Sequence, residues 1–387
     1  QIFKKPRIEW VLIGVFATTM QVLAGHPQSL FMTGLLASIY CVIRLVGCPH
    51  RGKALIAFLP FGIWPPLMAC VQLWTGLDVA SESMRSVGTD FSFATTFSLH
   101  PESLIGFVMP AFFGNMLHLM YWGRWAFWDS TIFLGISGLL LMGYGIALGK
   151  GRDRWIFVVL IVLFTMLSMG RYTPLYRWVF EYLPLFDSFR APGKLMYPVS
   201  MLIAMLAGMG FDAFMKRDRS SMVIALTPLI PAVVAFGVAG FFWVAIARSN
   251  MDLFTGMVNA RRDSGDTFFF WTAGFELTET YYRSAASLMY YSVLIAGITF
   301  ALLAIIQAVS MRRVGMRYGM LVLAIAEVFV FARVHRPTFN LEDHKRELYD
   351  YVIARDPGDY RILDIPGIDN SRRNYSVDVR HFGIWGY

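Results

Sequence analysis

The chain has 387 residues, 56% hydrophobic and 16% charged, with a mean hydropathy of +0.53 and a formal net charge of +8. That composition excludes an ordinary soluble domain. The positive excess sits in short clusters between apolar runs, which suits anionic lipid headgroups rather than nucleic acid.

Nine apolar segments follow in chain order, at 10–25, 29–47, 54–76, 130–149, 155–169, 195–215, 222–247, 288–311 and 318–334. About 20 apolar residues cross a bilayer, so the first and fifth are short and need flanking residues or local thinning. Lys/Arg clusters at 4–7, 44–53, 150–154, 216–219 and 312–317 occupy every second connection. Positive charge in short loops marks the cytoplasmic side, so the alternate connections face outward and the C-terminus lies outside.

The expected fold is an all-α polytopic membrane protein. Residues 1–335 form its membrane domain, with extracytoplasmic loops at 77–129, 170–194 and 248–287. Residues 174–182 predict a short amphipathic helix within the second of these loops. After 335 the composition changes: 336–387 carries nine acidic and eight basic residues. Helical spacing at 342–354 and short strands at 360–365 and 374–379 predict the start of a soluble extracytoplasmic α/β domain. A start on Gln1 and a stop at Trp385-Gly386-Tyr387 lead us to expect a longer protein. Cys41, Cys48 and Cys70 have neither disulfide nor metal spacing and read as packing residues.

No Gly-rich phosphate loop, His-Glu-x-x-His or Cys/His ligand cluster occurs, and no Asp-x-Asp pair of the kind that holds a nucleotide sugar through a metal. ATP-driven transport and cytoplasmic nucleotide-sugar chemistry are unsupported. The turn Gly25-His26-Pro27-Gln28 joins two apolar segments with almost no loop. There His26 and Gln28 either bind a sugar hydroxyl or lipid phosphate, or satisfy loose helix-end groups. Loop 77–129 holds Asp78, Glu82, Asp90, His100, Glu102, Asn115, His118, Arg124 and Asp129 among many aromatics. Carboxylates beside aromatic platforms suit carbohydrates, and a general base needs proton reach above all; scattered acids in a solvated loop are equally common. Its stretch 103–110 is apolar enough to dip into the membrane or lie on it.

Arg190 and Lys194 arrive at the outer interface just before a long apolar segment, against the usual charge bias. A phosphate at the outer leaflet accounts for them, and so do snorkelling side chains or an Arg190–Asp187 pair. Glu327 lies mid-span, where an ionisable group costs about 2.5–3.5 kcal/mol on insertion scales. It is either a proton relay or a structural carboxyl with its partners satisfied. Asp212 lies one turn from Lys216 and reads as an end-of-helix pair.

Several ordered stretches then carry a family resemblance. They are Leu23-Ala24-Gly25-His26-Pro27-Gln28, Pro110-Ala111-Phe112-Phe113-Gly114-Asn115, Tyr121-Trp122-Gly123 and Phe189-Arg190-Ala191-Pro192-Gly193-Lys194. Leu206-Ala207-Gly208-Met209-Gly210-Phe211-Asp212, Tyr360-Arg361-Ile362 and Gly383-Ile384-Trp385-Gly386-Tyr387 continue the order. In these the chain resembles the YfhO-type bacterial membrane proteins, which belong with the lipid-linked-sugar glycosyltransferases of GT-C architecture.

The resemblance implies transfer of a sugar from a polyprenyl-phosphate donor to a cell-envelope acceptor, outside the cytoplasm of a bacterium and at its inner membrane. It implies that the spans hold the lipid tail and that Arg190 or Lys194 holds the phosphate. The family's catalytic carboxylate commonly sits in a first extracytoplasmic loop upstream of this sequence. Asp90 and Glu102 are therefore candidates only by position, and the catalytic base is unassigned. His26, Gln28, Asn115, Arg190 and Lys194 are the candidate substrate-binding residues. Membrane lipids and the lipid-linked sugar are the expected partners. Two other readings stand beside this one: a non-catalytic subunit scaffolding a larger membrane complex, and a transporter centred on Glu327 and the Pro60, Pro65 and Pro66 segment.

Overall fold

The structure is a computed structural model that describes residues 2–81, 88–115, 119–125, 127–216, 226–264 and 277–335, with 361–362 and 382–383 beyond them. The chain divides into two compact units, Gln1–His335 and Arg336–Tyr387.

The first unit is helical. Helices α1 (Ile8–Leu23) and α2 (Pro27–Val46) meet at a turn of three residues. Pro27 takes the first position of α2, where its missing N–H breaks no helical bond. The next apolar stretch is interrupted. It forms α3 (Arg51–Phe58), α4 (Pro60–Met68) and α5 (Cys70–Ser81), bent by 71° at the last break. Pro60, Pro65 and Pro66 each lack an N–H, and proline rings crowd the preceding turn. The stretch at 54–76 is therefore a broken span or a re-entrant loop, not one straight helix. Cys41 and Cys48 are buried, but Cys70, read as a packing residue, is exposed beside that break.

Short pieces cover one end of the bundle: α6 (Phe91–Ala94), a 3-10 helix Pro101–Phe107, and α7 (Phe127–Ser130). Then come α8 (Ile136–Leu148), α9 (Asp153–Ser168), the amphipathic α10 (Pro174–Tyr182) and α11 (Met196–Met215). The last four are α12 (Leu229–Ala247), α13 (Asp252–Arg262), α14 (Glu279–Ser310) and α15 (Tyr318–His335). The main packings are α8 on α11, α12 on α14, α1 on α4 and α9 on α11.

Among the described residues five segments are long and apolar enough to cross a membrane: Pro27–Val46, Pro192–Met215, Leu229–Ala247, Glu279–Ser310 and Val314–His335. The broken stretch makes a sixth if it counts as one span. The chain is thus a multi-pass, all-α membrane protein in its first unit. Helices α1, α8 and α9 have 16, 13 and 16 residues. At about 1.5 Å per residue they reach about 24, 20 and 24 Å, short of a hydrocarbon core of about 30 Å.

Ionic groups inside the bundle are used to finish helices. The Glu327 carboxylate on α15 accepts the N–H groups of Ile136 at 2.8 Å and Ser137 at 3.0 Å. It caps α8, satisfying two of the amides that a helix start leaves open. Of the two expectations for Glu327, the geometry is that of the satisfied structural carboxyl. At the opposite end Arg317, 4% exposed, donates to the carbonyls of Phe214 and Met215 that close α11. Arg44 pairs with Asp153 to tie α2 to α9, and Lys216 pairs with Asp212 at 2.6 Å.

Helices α8 and α11 touch backbone to backbone. A Cβ on Gly210 would run into the Leu141 carbonyl and the Gly145 amide nitrogen, and one on Gly145 into the Leu206 carbonyl. Small residues at a membrane helix crossing permit this approach, which gains dispersion contacts where water supplies no drive. Gly208, on the same helix, has open space at that position.

In the second unit, strand β1 (Arg361–Ile362) pairs in parallel with β2 (Phe382–Gly383). The expected strand at 360–365 contains β1. The helix at 342–354 and the strand at 374–379 lie outside the described residues.

Gly210→Ala is expected to destabilise the protein by about 1–3 kcal/mol through overpacking. Gly208→Ala is expected to be neutral or stabilising by up to about 1 kcal/mol, from helix propensity. Thermal unfolding in detergent checks the pair, and equal shifts would contradict the close crossing.

Candidate functional site

The residues singled out in the sequence gather mostly at the end of the bundle where α1 stops and α2, α8 and α11 begin. Three consecutive residues hold that end together. The Leu99 N–H donates to Ser168 O at 2.9 Å, Ser98 Oγ accepts the Arg171 N–H at 3.3 Å, and Phe97 O accepts the Gly193 N–H at 3.1 Å. Ser98 and Leu99 are fully buried. Gly170 makes this possible: it has φ +48°, and a Cβ there would run into Ser98 Oγ and lie 3.0 Å from Pro192 Cγ. The chain leaving α9 and the chain entering α11 are thereby fastened to one segment of the loop between α5 and α8.

Backbone strain is concentrated at the same place. Phe97 (φ 58°), Trp125 (φ 58°) and Ala191 (φ 64°) are non-glycine residues in the left-handed region. Each such residue costs about 1–3 kcal/mol and persists only where its surroundings fix it.

A shallow cleft, with enclosed room for about one water molecule, lies beside this junction, lined by Gln28, Phe31, Met32, Tyr176, Phe186, Phe189, Arg190, Pro192 and Leu195. Its walls are mainly apolar. Gln28 is buried, and its Nε2 donates to the Arg190 carbonyl, joining α2 to the loop before α11. Burial pushes the Tyr176 phenol above its ordinary range, so the hydroxyl stays neutral. The Arg190 side chain is exposed, with its guanidinium 5.6 Å from the ring centres of both Phe93 and Phe97. No carboxylate pairs with it among the described residues, and the Arg190–Asp187 pair considered from the sequence does not form. Lys194 is half-buried, with no side-chain partner among the described residues.

The remaining candidates have structural occupations. His26 caps α2, its Nδ1 accepting the Ser29 N–H at 3.1 Å, and it does not line the cleft. Asp90 is exposed and caps α6 by accepting the Ser92 N–H at 3.2 Å. Asn115 is buried, its N–H donates to Leu119 O, and Phe113, Leu119 and Trp122 near it pack in a second core with α12, α13 and α14. Glu102 lies between two guanidiniums, 3.0 Å from Arg124 Nε and 3.0 Å from Arg261 Nη2. Arg261 in turn stands 5.0 Å over Phe113 and 5.1 Å over Trp122. The sequence reading missed Arg261, since α13 carries no local mark of a partner in a loop more than a hundred residues upstream.

The two regions connect through aromatic rings. Phe97 stands 5.4 Å from Trp125, and Arg171 lies 5.3 Å over Trp125. The Arg171 Nη2 also donates to Ser92 O at 3.2 Å. His118, Glu82 and the loop residues 265–276 lie outside the described residues, and no group of three potential metal ligands occurs among those described. Chemically the arrangement offers a mainly apolar cleft whose one charged lining residue is the exposed Arg190. Family models, curated proteins and solved structures give no significant match to this chain.

Glu102→Gln removes the carboxylate charge that Arg124 and Arg261 share and is expected to destabilise the fold by about 1–3 kcal/mol. Glu181→Gln, which removes an exposed pair with Arg177, is expected to cost under about 0.5 kcal/mol. Denaturation midpoints of the two variants check this, and a harmless Glu102→Gln would contradict a structural role.

Proposed function

We propose that this protein binds a polyprenyl-phosphate-linked sugar at the outer face of a bacterial cytoplasmic membrane and serves its transfer to a cell-envelope acceptor. The observation that carries the proposal is the pairing of an apolar cleft with uncommitted cations. Arg190 contributes to the cleft wall yet has no carboxylate partner among the described residues, and Lys194 follows four residues later. An apolar chain suits the apolar side chains along the cleft, and a phosphate suits the exposed Arg190 guanidinium, which lies 5.6 Å from the ring centres of both Phe93 and Phe97. The resemblance of the ordered stretches to the YfhO-type proteins points the same way. The nine-span topology and an extracytoplasmic C-terminal unit belong to this proposal.

In this proposal Arg190 and Lys194 hold the phosphate and Gln28 fixes the Arg190 backbone. Glu102 and Asp90 keep their structural occupations, so neither is assigned as base. The occupation of both acids also favours a second reading, a non-catalytic subunit that keeps the lipid site. Glu327, spent on capping α8, gives the transporter reading no support.

Native mass spectrometry of the full chain, with polyprenyl phosphate and the headless polyprenol as probes, tests the proposal. The wild type is expected to favour the phosphate by about tenfold or more, and Arg190→Gln to lose most of that preference. Equal retention of both lipids by the wild type would overturn it.

A further inference from the structure

We infer that three connections at the other end of α2 and α9 from the cleft form one surface that binds anionic phospholipid headgroups, with Lys4, Arg51 and Arg152 among its cations. The inference is independent of the function proposed above. Helix α2 has Gln28 at the cleft end and Arg44 at the other, and α9 runs from Asp153 here to Ser168 at the cleft junction.

Three segments distant in sequence meet there: 2–7 before α1, 44–53 from the end of α2 into α3, and 150–154 at the start of α9. Arg44 ties all three, since its guanidinium pairs with Asp153 and lies 5.8 Å from the Phe3 ring centre. The Cys48 thiol donates to the Phe3 carbonyl at 3.5 Å. Gly47 has no side chain, and Arg152 lies across it, with Nη1 3.0 Å from where a Cβ would stand. Arg51 folds back to donate to Val46 O at 2.8 Å. Arg152 and Arg51 therefore meet the two residues before Cys48, and Cys48 touches the residue before Lys4. Cations that the sequence shows as separate clusters share one surface in the fold.

The charge of this surface is not neutralised. Lys4, Lys5, Arg7, Arg51, Lys53 and Arg152 are exposed, and none is in an ion pair among the described residues. Asp153, the one acid in the three segments, is spent on Arg44. What borders the cations selects an amphiphile. Ile8 on α1, Val46 on α2 and Leu55 on α3 are exposed apolar side chains beside them. Trp10 and Trp155, in the first turns of α1 and α9, are exposed as well, and tryptophan at a helix entry marks the headgroup layer. A phospholipid sets its phosphate on the cations and its acyl chains on the apolar side chains, whereas a nucleic acid would leave those in water. An anionic headgroup is favoured over a zwitterionic one because only the first carries net charge to balance the cations.

Release of the full chain from nanodiscs of equal parts phosphatidylglycerol and phosphatidylcholine, with retained lipids read by native mass spectrometry, tests the inference. The wild type is expected to retain phosphatidylglycerol over phosphatidylcholine by about fivefold or more. The double variant Lys4→Gln/Arg152→Gln, at two exposed positions, should lose most of that preference. The control Arg312→Gln/Arg313→Gln removes two exposed cations from the α14–α15 connection, which none of these ties reaches, and should keep the preference within about twofold. Equal loss in the two double variants would overturn the inference, because it would mean a general charge effect and not a built surface. Equal retention of both lipids by the wild type would overturn it whatever the variants do. An oligodeoxynucleotide bound by the wild type and lost in Lys4→Gln/Arg152→Gln would in that case assign the surface to a soluble polyanion.

Discussion

The end of the bundle that carries the candidate site depends on Phe97, Ser98 and Leu99. The three residues bond two returning segments: Phe97 O accepts the Gly193 N–H before α11, while Ser98 Oγ accepts the Arg171 N–H and the Leu99 N–H donates to Ser168 O, both at the end of α9. In a membrane protein such groups have few alternatives, because a polar backbone atom left open near the apolar layer costs several kcal/mol. That constraint keeps a loop segment, two helix ends and a strained turn at Ala191 in register. It also explains why Gly170 is glycine, since any side chain there would displace Ser98.

Charge is distributed with the same economy. Wherever an ionisable group is enclosed, it closes a helix or balances another ion: Glu327 on α8, Arg317 on α11, Arg44 on Asp153, and Glu102 between Arg124 and Arg261. Arg171, Arg190 and Lys194 depart from that pattern. None of the three pairs with an acid among the described residues, and aromatic rings lie near Arg171 and Arg190. An arrangement that is unnecessary for folding and is held by strained, buried backbone is the kind that binding retains.

What could be read from the sequence was largely local. The helix at 174–182 forms as its amphipathic spacing predicts, the His26-Pro27-Gln28 turn joins two helices, and Asp212 meets Lys216 one turn on. Features set by distant contacts could not be read in this way. Nothing near Glu327 announces the start of α8, and nothing near Arg261 announces Glu102. Hydropathy averaged over 54–76 hides a 71° bend, although three prolines in seven residues were a signal that could have found it. Of the candidate binding residues, Gln28 and Arg190 come together in the cleft, while His26 and Asn115 are committed to local structure.

The central claim is that the cleft beside Gln28 and Tyr176 holds an apolar chain whose anionic head meets Arg190. A density map of the full chain in lipid nanodiscs supplied with polyprenyl phosphate tests it most directly. The account predicts elongated density along the cleft, ending in a compact head within bonding distance of the Arg190 guanidinium. A cleft closed by side chains, with the same lipid seen only on the outer helix faces, would contradict it.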